Sequence, residues 1–128
     1  YKGERFFNNQ QRRKQMSKDY KLVKVDSTSQ ENVNILVNPS DEDYNEMHIS
    51  RVTIFDRKRE DSEDVNVCKY EKGGSYQITD ELNSNTDNPS DRRDGLIIYF
   101  HPENGDKELA LKIAQHKGLM YLKWEQVK

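Results

Sequence analysis

The residues able to do chemistry are few and scattered. His48, His101 and His116 fall on separate expected elements, and their spacing matches no common metal motif. Cys68 is the single cysteine, set between Val67 and Lys69, so neither an internal disulfide framework nor a cysteine-based zinc site can form. A cysteine in that setting reads as a small apolar core residue. Two acidic loops offer hard oxygen ligands of the kind calcium prefers: Asp41-Glu42-Asp43, and Asp80 and Glu81 with Asp87, Asp91 and Asp94. Neither has calcium-hand spacing, and Arg92 and Arg93 oppose a cation in the second, so both read as solvated loops. The chain lacks a nucleophile elbow, a Gly-rich phosphate loop, His-Glu-x-x-His and Cys-x-x-Cys. These features argue for a protein that is not an enzyme and uses no cofactor or metal.

Charge is unevenly distributed. Residues 1–24 hold eight Lys or Arg against two Asp or Glu, so with a total of −2 the remainder carries −8. Phe6 and Phe7 with Arg12, Arg13 and Lys14 form a basic arm suited to contacting a protein partner. Nucleic acid is not the favoured partner, because the acidic body would repel phosphate. Aromatic residues supply the other candidate surface. Tyr99, Phe100, Leu122 and Trp124 lie on neighbouring expected strands, where they would line the mouth of a barrel around a small apolar ligand. Core packing explains Met120, Leu122 and Trp124 at least as well.

These residues must be positioned by strands. The last third of the chain contains three apolar runs, Gly95–Phe100, Leu109–Ile113 and Leu119–Trp124, joined by turns at Asn104-Gly105 and Lys117-Gly118. Asn-Gly tolerates the positive φ of a tight hairpin turn. Leu109, Leu111 and Ile113, then Met120, Leu122 and Trp124, recur at every second position and so share a sheet face. Upstream, strands are expected at Tyr20–Asp26, Val33–Val37, Met47–Phe55, Asp64–Tyr70 and Tyr76–Thr79, the last two joined through Lys72-Gly73-Gly74. Asn38-Pro39-Ser40-Asp41 recurs fifty residues later as Asn88-Pro89-Ser90-Asp91, and both read as turns. The polar stretch from Asp80 to Asp94 reads as a long loop, functional or disordered.

Two segments carry a family resemblance. Tyr20-Lys21-Leu22-Val23-Lys24-Val25 resembles the first strand of lipocalin-like (calycin-type) β-barrels, in which a Trp-Lys-Leu-Val type sequence comes after a short helix. Leu119-Met120-Tyr121-Leu122-Lys123-Trp124-Glu125-Gln126-Val127 resembles the closing strand of the small bacterial members. The family's glycine before that first strand is Lys18 here, and its tryptophan is Tyr20. The resemblance implies a ligand-holding barrel over most of residues 4–127.

With 128 residues, of which 32% are hydrophobic and 34% charged, the chain is expected to form one domain with a modest core. The expected fold is all-β, an antiparallel meander of about eight strands closing into a barrel or near-barrel over residues 19–128. A basic arm or short helix over residues 1–18 precedes it. No apolar run is long enough for a transmembrane helix, and both Asn-x-Ser matches contain proline, so glycosylated export is not supported. Secretion from a bacterium, to periplasm, surface or medium, is the expected localisation. The expected function is a binding module for a small apolar ligand or a protein partner. The alternative is an interaction or inhibitory accessory domain with a filled core, docking through the basic arm or the 80–94 loop.

Overall fold

The structure, a computed structural model, describes residues 22–40, 45–82, 87–103 and 107–127, with the backbone course alone for 75–82. The basic arm, including Phe6, Phe7, Arg12, Arg13 and Lys14, lies outside the described residues, as does the Asn104-Gly105 turn. Eight strands are present among the described residues: β1 (Val25–Ser27), β2 (Asn34–Leu36), β3 (Met47–Arg57), β4 (Asp64–Glu71), β5 (Ser75–Leu82), β6 (Gly95–Pro102), β7 (Leu109–His116) and β8 (Leu119–Gln126). All pairings are antiparallel, and no described residue is in an α-helix.

The strands do not succeed one another around a barrel. β1 and β2 form a separate hairpin, and the other six form one open sheet in the order β5-β4-β3-β6-β7-β8. After β5 the chain crosses back and places β6 against β3, so the sheet grows outward in both directions from that pair. Among the described residues β5 and β8 are the opposite edges, and the expected barrel or near-barrel is corrected to an open sheet. Alternation along a strand reports which face is buried but not which strand is the neighbour, which is why the pattern could not distinguish the two.

The sheet consists of two like meanders, β3-β4-β5 and β6-β7-β8, joined through their first strands. An Asn-Pro-Ser turn precedes each. In both, the Asn side-chain oxygen accepts the backbone N–H of the Ser two residues on, Ser40 to Asn38 at 2.9 Å and Ser90 to Asn88 at 3.0 Å. Both asparagines are buried. The second tight hairpin turn is as expected: Lys117 and Gly118 both have positive φ, 51° and 77°, the combination that suits the twist of flanking strands.

One face of the sheet carries Thr53, Phe55 and Arg57 on β3, Val65 and Val67 on β4, Ile97 on β6 and Ala110 on β7. Phe55, Val65, Val67, Ile97 and Ala110 form one core cluster. Residues 87–94 cross this face. The other face carries Leu109, Leu111 and Trp124, packed with Val23 and Leu36 from the β1–β2 hairpin and with Met47, Phe100 and Ile113.

Residues 87–94 of the crossover are tied down, and the expected long loop over 80–94 is shortened at its start, while residues 83–86 lie outside the described residues. β5 extends through Leu82, and Arg57, only 7% exposed, holds the returning chain at Ser90 and Arg93. Its Nε donates to the Arg93 carbonyl at 3.1 Å, Nη2 to the Ser90 carbonyl at 3.1 Å, and Nη1 to the Ser62 carbonyl. The Arg57 backbone N–H donates to Asp94 Oδ1 at 2.9 Å, and Ser90 Oγ donates to the Gln115 carbonyl at 2.7 Å. Gly95 sits directly beneath: a Cβ there would lie 2.2 Å from Asn88 Oδ1 and 2.7 Å from Pro89 Cδ. Since Asn88 is held in its own turn, neither neighbour can move cheaply. Gly95→Ala is expected to destabilise the fold by about 1–3 kcal/mol, read as a lower urea midpoint with an unchanged slope.

Candidate functional site

β3 contains a bulge at Ser50, where the register against β6 shifts between Ile49 and Arg51. The bulge gathers a polar cluster beside Tyr99. Ser50 Oγ lies 2.7 Å from Glu108 Oε2 and 3.2 Å from the Tyr99 carbonyl oxygen. Arg51 donates to both Glu108 oxygens, from Nη2 at 2.7 Å and Nε at 3.2 Å, and its guanidinium sits 3.9 Å from the Tyr99 ring centre. Burial opposes ionisation of Glu108, but the hydrogen bonds from Arg51 and Ser50 outweigh it, leaving the carboxyl below its ordinary pKa. Burial pushes the Tyr99 phenol up, despite Arg51 beside it. The charges in this cluster satisfy one another, and its geometry is that of a brace between β3 and the start of β7.

The four aromatic and apolar residues expected to surround a ligand are not brought together. Phe100 and Trp124 are, edge to face with centroids 5.6 Å apart, but inside the core on the hairpin face. Trp124 is 1% exposed, and its Nε1 has no hydrogen-bond partner among the described residues. Tyr99 lies on the opposite face under Arg51. Leu122 is on the outer edge strand and half exposed. The histidines also divide: His48 faces His101 in register and bonds Glu103, whereas His116 meets Tyr121 edge to face with centroids 6.2 Å apart. Among the described residues no cluster of three or more His, Cys, Asp or Glu is placed to hold a metal, and no helix is long and apolar enough to cross a membrane.

What the fold does assemble is an apolar edge with a groove beside it. β8 pairs with β7 on one side and has no partner strand on the other among the described residues. Four consecutive residues at its start are exposed: Leu119 at 60%, Met120 at 62%, Tyr121 at 52% and Leu122 at 51%. Alternation sends Leu119 and Tyr121 to one face and Met120 and Leu122 to the other, so both faces are apolar. That is the composition of an interior strand, placed at an edge. On the crossover face, a groove of about 490 Å³ runs between β7–β8 and the crossover. Ala114 leaves space at its floor, Pro89 and Ser90 wall one side, and His116 and Tyr121 the other, with Leu122 also in the lining. Lys112 and Lys123 also line it, Lys112 being paired to Glu125 at 2.9 Å.

Sequence reasoning singled out Leu122, and counted Tyr121 among the aromatics on neighbouring strands, but did not read Leu119–Leu122 together as a site. The signal was present: an unbroken apolar run has residues of both parities, which a strand buried on one face does not need. No protein-family model, curated protein or solved structure matches this chain.

The core aromatic and the β3–β7 brace can each be tested by substitution. Trp124→Ala should cost about 3–5 kcal/mol of stability, as expected for an aromatic removed from a core, and thermal or urea unfolding will show it. Glu108→Gln should cost about 1 kcal/mol at neutral pH, discounted because Arg51 is partly exposed. Glu108's folded-state pKa lies below 4.5, so its contribution is complete above that value and fades as the pH falls through the lowered one. The stability difference between wild type and Glu108→Gln should therefore close on acidification. A gap that persists at the acid end would exclude an ionic origin.

Proposed function

We propose that this chain is a non-enzymatic binding module whose β8 edge accepts an extended segment of a protein partner. The observation that carries this reading is the exposed run Leu119–Leu122 on a strand with one unpaired side. Strand addition takes its affinity from main-chain hydrogen bonds along an open edge and its specificity from side chains falling into adjoining pockets. The groove at Tyr121 and Ala114 supplies such a pocket. Long apolar edges are an aggregation hazard when uncovered, and natural sheets blunt them with charge, proline or bulges. β8 has none of these devices over its first four residues.

The test is a library of extended octapeptides presented to the purified protein, with hydrogen exchange as the readout. Selected peptides should slow exchange at Leu119–Leu122, and replacing Leu119 and Tyr121 together by lysine should weaken binding at least about tenfold. Binding that ignores this replacement, or that protects another strand, would remove the reading.

A second reading, closer to the lipocalin-like resemblance, places a small apolar ligand in the same groove, whose size falls within the usual range for ligand sites. Native mass spectrometry before and after mild denaturation separates the two. A co-purified small molecule released on unfolding favours the ligand, and a bare chain mass favours the strand-accepting edge.

A further inference from the structure

We infer that the strand accepted by β8 is β8 of a second copy of this chain, paired antiparallel about a two-fold axis at Tyr121. The inference rests on reading β8 as a pairing edge and goes on to name what occupies it.

The residues of β8 themselves select the register. Centring the pair on Tyr121 sets the two Tyr121 side chains opposite each other and each Met120 opposite the partner's Leu122. Leu119 then lies against the aliphatic stem of the partner's Lys123, where the paired stretch ends because Lys117 and Gly118 belong to the turn. Apolar groups meet apolar groups along the paired stretch, the kind of cross-strand contact that stabilises antiparallel strands. Neighbouring registers are worse for specific reasons. Centring on Met120 pairs only Leu119, Met120 and Tyr121 of each copy, because β8 begins at Leu119, and centring on Lys123 sets that residue against itself. Centring on Leu122 places Leu119 against a glutamate. Centring on Trp124 matches Lys123 with Glu125 but leaves Leu119 and Met120 beyond the paired stretch.

The other edge of the sheet argues for the same choice. β5 reads Ser75-Tyr76-Gln77-Ile78-Thr79-Asp80-Glu81-Leu82, with polar residues alternating and two acids near its end. β8 has an uninterrupted apolar start instead. Pairing β8 with β8 is isologous and stops at two copies, whereas β8 on β5 is heterologous and builds a ring or an open filament. Two six-stranded sheets joined in this way form one continuous sheet. The partner's Tyr121 then stands beside the groove floored by Ala114, and its ring has a place to enter.

Sedimentation velocity of the full chain from low to high micromolar concentration should show a monomer–dimer equilibrium. Leu119→Lys with Met120→Lys should weaken it at least about tenfold. These sites are exposed, so circular dichroism should show the fold retained. Register is read by cross-linking in a Cys68→Ser background. Tyr121→Cys places two thiols directly across the axis, with Cβ atoms about 4.5–5.5 Å apart, and should oxidise readily to a covalent dimer. Lys123→Cys sets them roughly 13 Å apart and should not. A wild-type chain that stays monomeric, a dimer indifferent to the lysine substitutions, or cross-linking through position 123 rather than 121 would each overturn the inference. A monomer that still binds extended peptides at Leu119–Leu122 would overturn it while leaving the strand-accepting module intact.

Discussion

Much of this structure depends on the buried guanidinium of Arg57. Taking a guanidinium out of water costs several kcal/mol unless its donors are met, and here three backbone carbonyls, from Ser62, Ser90 and Arg93, meet them. Two of those carbonyls belong to the crossover between β5 and β6. The same interaction that satisfies the charge therefore fixes where the chain returns to the sheet. With residues 87–94 held across Gly95, β6 is delivered to β3, and β7 and β8 must extend the sheet beyond it.

That placement has consequences on both faces. On one, the crossover lies over Gly95 while Tyr99 and Val127 pack on the cluster of Phe55, Val67 and Ile97, and on the other Val23 and Leu36 pack on Leu109, Leu111 and Trp124. Among the described residues no strand pairs with the outer side of β8. The groove lies beside that edge strand, with the small Ala114 next to Tyr121 in its lining. The Ser50 bulge braces the opposite part of the sheet, where Arg51, Glu108 and Tyr99 lock β3 to the start of β7.

The functional reading grows out of that asymmetry. A sheet whose two edges differ so much in composition has different demands at each: the β5 edge is polar in sequence, and the β8 edge carries residues that lose free energy of order 1 kcal/mol or more each when left in water. Coverage of β8 by another strand meets that demand and satisfies its outward backbone groups together.

The amino-acid sequence by itself determined the class and nearly all the strands. Alternation in Leu109–Ile113, the β-favouring run through Val52, Ile54 and Phe55, and the Lys117-Gly118 turn are local signals, readable because side-chain period and turn φ depend on neighbours in the chain. It also marked Trp124 and Phe100 as aromatics to be placed, and both Asn-Pro-Ser turns. Only the tertiary structure decided that the sheet stays open, that Tyr99 and Trp124 lie on opposite faces, and that β8 is an edge. Each of those depends on which strand neighbours which. That choice rests on contacts such as Arg57 with Ser90 and Arg93, more than thirty residues apart, and no local pattern encodes a partner at that distance.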